Sequence, residues 1–102
     1  MYKVLAHELA AQELEDLPGR LRGQMFRLIE RLETEGQLKM PHSKAIGGGL
    51  FELRVGGTVI ARSLYCYVKD QNIYLLHAFI KKTEKTPANA IKLARQRLED
   101  FE

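Results

Sequence analysis

Between Leu50 and Ile80 three apolar-rich runs follow one another with only turn-length sequences between them, and this crowding restricts the fold more than any other feature. The runs are Leu50 to Val55, Thr58 to Val68 and Ile73 to Ile80. Gly56-Gly57 and Lys69-Asp70-Gln71-Asn72 are too short for a helical crossover, so the runs must pair as an antiparallel meander. In the first run Phe51, Leu53 and Val55 alternate with Glu52 and Arg54, which places the apolar set on a core face and the charged pair on the other. In the second, Arg62 interrupts Val59, Ile60, Ala61, Leu64, Tyr65 and Tyr67. An unpaired buried guanidinium is costly, so Arg62 either pairs with Glu52 across the strands or lines an open functional face.

Helical patterns flank the meander. Residues 8–17 read as a helix with Leu9, Leu14 and Leu17 near one face, stopped by Pro18-Gly19. A second helix, about 20–35, carries Leu21, Met25, Leu28, Ile29 and Leu32 as one stripe and ends at Gly36. The short connection favours an antiparallel helix pair. Residues 37–49, with Pro41 and Gly47-Gly48-Gly49, read as a loop, and Tyr2 to Leu5 as a short first strand. After the meander Thr86 suits an N-cap and Pro87 the first helical position of a closing helix, about 87–101. The expected fold is therefore a single α+β domain: two N-terminal helices on a small antiparallel sheet, with a C-terminal helix.

Size and composition narrow the function. A chain of 102 residues suits one small domain. Its single cysteine, Cys66, allows no internal disulfide and fits a reducing cytoplasm, with burial in the core the simpler role. No apolar run reaches the roughly 20 residues of a membrane span. The acidic Glu8 comes too early for a signal peptide. His7, His42 and His77 lack metal-ligand spacing, and the Gly47-Gly48-Gly49 triplet precedes a strand, unlike a phosphate-binding P-loop. No metal or cofactor is expected.

Charge is unevenly spread. Residues 1–53 hold 7 Lys+Arg against 8 Asp+Glu, whereas residues 54–102 hold 9 against 5. The basic excess gathers at the end of the third run, in Lys81, Lys82 and Lys85, four or more residues after His77. With Arg54 and Arg62 on neighbouring strands, these lysines can converge on a phosphodiester; otherwise they are a solvated strand end.

The strings Gly48-Gly49-Leu50-Phe51-Glu52-Leu53-Arg54, Ala61-Arg62, and Leu75 to Thr83 with Lys85-Thr86-Pro87 resemble the phage-derived, HigB-like branch of the RelE/ParE toxin superfamily. The order of elements resembles it too, over nearly the whole chain. The resemblance implies the toxin of a type II toxin–antitoxin pair, which cleaves mRNA in the ribosomal A site and is neutralised by a cognate antitoxin, often a helix-turn-helix, HigA-like protein. It implies a metal-independent endoribonuclease in which Arg54, Arg62, Lys81 and Lys82 are catalytic and Lys85, His77 and Glu52 contact RNA. The 2′-OH would attack the adjacent phosphate, with Glu52, His77 or a shifted lysine as base. Two departures stand out: Glu52 occupies a lysine position of RelE proper, and Ala88 and Asn89 stand where RelE has a base-stacking aromatic, leaving Phe101 as a substitute. ParE-like members of the superfamily act instead on DNA gyrase through protein contact. A degenerate phage-derived protein that keeps only partner or operator binding is a third reading.

Overall fold

The computed structural model describes residues 1–81 and 85–101. In chain order these form β1 (Lys3–Ala6), α1 (Glu8–Glu15), α2 (Gly19–Glu35), β2 (Ser43–Gly47), β3 (Leu50–Gly56), β4 (Ile60–Val68), β5 (Asn72–Lys81) and α3 (Ala88–Glu99). The strands make one sheet in the order β1-β5-β4-β3-β2. β1 runs parallel to β5, and every other neighbouring pair is antiparallel. No helix among the described residues is long and apolar enough to cross a membrane.

The meander forms as its spacing demands. Asp70 and Gln71 both take positive φ, 63° and 60°, which is the backbone of the tight turn between β4 and β5. The loop expected over residues 37–49 is corrected: it contains β2, paired with β3 from Ser43↔Leu53 to Gly47↔Leu50. Ser-Lys-Ala-Ile-Gly is too short and too weakly alternating for its period to reveal a strand. β3 supplies the template that makes it one.

The two sheet faces carry different loads. On one, Leu53, Ala61, Tyr65, Ile73, Leu75 and Ala78 pack against α1 and α2. The stripe anticipated on α2, Leu21, Met25, Leu28, Ile29 and Leu32, is buried throughout. α1 stops at Glu15, and Leu9, expected on its inner face, is 54% exposed. On the opposite face α3 lays Ala90 and Ala94 over Leu50, Leu64, Cys66 and Leu76. A bulge in the β4–β5 pairing, Leu64↔His77 followed by Tyr65↔Leu75, shifts the phase of β5. Tyr74 and the odd-numbered His77, Phe79 and Lys81 consequently share this second face.

The turn out of α2 is fixed by glycine. Gly36 sits at φ 80° and donates its N–H to the Leu32 carbonyl, while its own carbonyl accepts from the Tyr67 hydroxyl at 2.7 Å. A Cβ there would lie 2.3 Å from the Tyr2 ring. Gly36→Ala is therefore expected to cost about 1–3 kcal/mol from the left-handed backbone, with displacement of Tyr2 added. Urea unfolding with Tyr fluorescence measures it; a midpoint unchanged from the parent would refute this account of the cap.

Candidate nucleic-acid interface

The second sheet face concentrates positive charge. Strand pairing places Arg54 directly opposite Arg62, and Lys44 opposite Glu52. Arg62 is in turn the partner of Phe79, and Ile60 of Lys81. Because directly paired residues point to the same side, Lys44, Arg54, Arg62 and Lys81 share one face from four adjacent strands. Burial, reinforced by the charges of Arg62, Lys44 and Arg54, holds the Lys81 ammonium below its ordinary range, with Glu52 pulling the other way. Lys81 is 6% exposed. Lys44 is the cluster member that the sequence concealed, because its strand was unrecognised.

Arg62 and Glu52 are bound to each other. Arg62 is 1% exposed and donates from a terminal guanidinium nitrogen to Glu52 Oε1 at 2.5 Å, and Glu52 is fully buried. The alternative of Arg62 lining an open face is thus corrected in favour of the cross-strand pair. Thr86 donates its hydroxyl to Glu52 Oε2 at 2.7 Å, so both carboxylate oxygens are engaged. This corrects the expected N-cap as well: α3 starts at Ala88 with Pro87 as its cap residue and no side-chain cap bond. The Arg62 Nε is buried without a hydrogen-bond partner.

The remaining expected site residues separate. Arg54 is half-buried, and Lys85 is exposed in the segment leading to α3. Lys82 lies outside the described residues. His77 stacks on Phe79 with ring centroids 4.7 Å apart, and its Nδ1 lies 2.9 Å from Glu13 Oε1. The same carboxylate receives both terminal nitrogens of Arg97, at 2.7 and 2.9 Å, and the Ala78 N–H at 3.1 Å. Glu13 and Arg97 escaped the sequence reading because helix periodicity reveals apolar stripes and says nothing of a charge paired across two helices. Phe101 lies on this second sheet face but at the end away from the cationic cluster. It stacks on Tyr74 at 3.8 Å, seven residues from Lys81 and so roughly 20 Å along the strand.

Two predictions follow from these ion pairs. Arg62→Ala leaves a buried carboxylate unpaired and should destabilise by about 3–5 kcal/mol, whereas replacing both partners, as Glu52→Leu with Arg62→Leu, should cost less than the single change. Chemical denaturation of the three proteins checks this, and a double variant weaker than Arg62→Ala contradicts it. For Glu13, burial alone would raise the carboxyl value, but hydrogen bonds from Arg97, His77 and the Ala78 amide, with the His77 charge, bring it below the ordinary 4.5. A lowered folded-state value stabilises above the unfolded value, and that contribution disappears as pH falls through the folded one. Stability should therefore fall more steeply on acidification below about pH 4.5 in the parent than in Glu13→Gln, as read from unfolding curves. Parallel curves would exclude it.

Comparison with known proteins places this geometry. No curated protein sequence matches the chain. Among solved structures, an arginine double mutant of the Escherichia coli toxin RelE in the free state superposes with a TM-score of 0.69 at 13% identity, covering 95% of this chain and 97% of that one. The toxin–antitoxin complex RelBE2 from Mycobacterium tuberculosis gives a TM-score of 0.60 at 21% identity, over 78% of this chain and 98% of that one. The α+β fold is thus that of RelE. A family model for phage-derived Gp49-like proteins (DUF891) matches residues 12–99, nearly the entire chain from α1 through α3, and the protein belongs to that family.

Proposed function

We propose that this protein is the toxin of a type II toxin–antitoxin pair, of the HigB-like branch, and that it cleaves mRNA in the ribosomal A site in the cytoplasm. The observation that carries the reading is the convergence of Lys44, Arg54, Arg62 and Lys81 on one sheet face. Like charges placed opposite one another weaken a sheet, so such a cluster is readily understood as a site for a polyanion. The likeness to RelE and RelBE2 supports the toxin assignment, and the second of these, a toxin with its antitoxin, supports an antitoxin partner. A helix-turn-helix, HigA-like protein is the expected form.

Cleavage needs no metal in this scheme. The ribose 2′-oxygen bonds to the adjacent phosphorus, the P–O5′ bond breaks, and the products are a 2′,3′-cyclic phosphate and a 5′-OH. Arg54 donates to the non-bridging oxygens as negative charge develops there. Lys81, whose ammonium burial and its cationic neighbours hold below its ordinary range, delivers a proton to the departing 5′-oxygen, while the 2′-OH proton passes to water. Arg62 adds positive potential from beneath, held in place by Glu52. Lys85, exposed in the segment leading to α3, adds positive charge for the RNA, and Lys82 is assigned to the same role by the resemblance alone. His77, tethered to Glu13, supports Phe79 beside Arg62.

Arg54→Ala, which breaks no buried pair, should lower cleavage about a hundredfold and relieve growth arrest on induction. Primer extension on total RNA should show codon-phased 5′ ends for the parent and not for the variant. A DNA-damage response without such ends would assign the protein to gyrase inhibition, and no growth effect at all would leave only partner binding.

A further inference from the structure

We infer that the cleft between α2 and the uncovered end of β3 is a nucleotide-binding subsite, which seats the base and phosphate flanking the scissile linkage. The inference rests on the RNA-cleavage reading above and extends it to a surface outside the cationic sheet face. The cleft encloses about 530 Å³ and is lined by Gln24, Arg27 and Leu28 of α2, His42 before β2, and Arg54 and Val55 of β3.

Its position follows from strand lengths. Pairing of β2 with β3 begins at Ser43↔Leu53, and the last bond between the two segments runs from the Arg54 N–H to the His42 carbonyl at 3.0 Å. Beyond that point β2 no longer covers β3, and a gap opens at the sheet edge. Arg54 belongs to both regions: it lines the cleft and contributes to the positive field around Lys81. A chain bound at Lys81 and Arg54 is thereby led over the edge of β3 toward α2.

The lining suits a nucleotide more than a simple anion. Arg27 and Arg54 make no side-chain hydrogen bond or ion pair among the described residues, so two guanidinium groups are available to phosphate oxygens. Leu28 and Val55 give apolar walls for a base. Gln24 Oε1 is shielded and has no hydrogen-bond partner among the described residues. Rotation of that amide presents either an acceptor or a donor to a base edge, which is the chemistry that distinguishes one base from another. This would give the enzyme a preference among codons.

The test is an amide NMR titration of the full chain with each of the four 5′-ribonucleotides, with inorganic phosphate as control. Nucleotides should shift Gln24, Leu28, Val55 and Gly56, phosphate alone should shift residues around Lys81, and Arg27→Ala should weaken nucleotide binding about tenfold. Gln24→Leu should change the ranking of the four nucleotides. Shifts confined to the Lys81 region, or no shifts, would overturn the subsite. So would an Arg27→Ala variant that keeps its nucleotide affinity and loses its antitoxin in co-purification. Nucleotide binding in the cleft without codon-phased ends in cells would leave the subsite standing and remove the RNA-cleavage reading.

Discussion

The buried bond between Glu52 and Arg62 joins the middle of the sheet to everything that happens on its cationic face. Arg62 sits on β4, flanked by Arg54 on β3 and by Phe79 on β5, where a lone guanidinium would have neither water nor a counter-charge. Glu52 supplies that charge from two residues along β3. Its second oxygen then holds Thr86 and with it the approach to α3. One carboxylate therefore sets the orientation of the central arginine and the docking of the helix start. A charge pair of this kind contributes little net stability relative to an apolar pair of equal volume, but it is costly to break halfway.

Much of the fold was legible from sequence because the meander has strict alternation and short turns, and because the α2 stripe repeats at helical spacing. Strand β2 was hidden, since five residues with a terminal glycine carry no usable period and depend on β3 for their conformation. The Arg54–Arg62 convergence was legible for a geometric reason: alternation fixes the side of each strand to which a charge points. Lys44 was lost with its strand. The Glu13–Arg97 pair was unreadable because its partners lie 84 residues apart and meet only once both helices are packed. Phe101 illustrates the opposite failure, an aromatic at a suggestive chain position that tertiary packing sends to Tyr74 at the other end of the sheet.

The helix α3 is tied to the sheet at both ends. Its C-terminal end is fixed by the forked Arg97–Glu13 pair, by Phe101 on Tyr74, and by His7 Nε2 at 2.7 Å from Asp100 Oδ2. Near its N-terminal end the described polar tie to the sheet is the Thr86–Glu52 hydrogen bond, with Ala90 and Ala94 packing beyond it. Bidentate charge-assisted contacts are about twice as strong as neutral ones, so the C-terminal end of α3 is firmly held at the end of the sheet away from Lys81.

Burial limits how a phosphate could use Arg62. With 1% of its surface exposed and one terminal nitrogen given to Glu52, Arg62 would have to be uncovered before it could donate to a phosphate in bidentate fashion. Arg54, half-buried and with no side-chain hydrogen bond among the described residues, needs no such rearrangement. In the proposed cleavage, that difference assigns the phosphate contact to Arg54 and leaves Arg62 to act through its field. A lysine at position 52 would add a further cation beside Arg62, Arg54 and Lys81, whereas glutamate neutralises the guanidinium buried on β4.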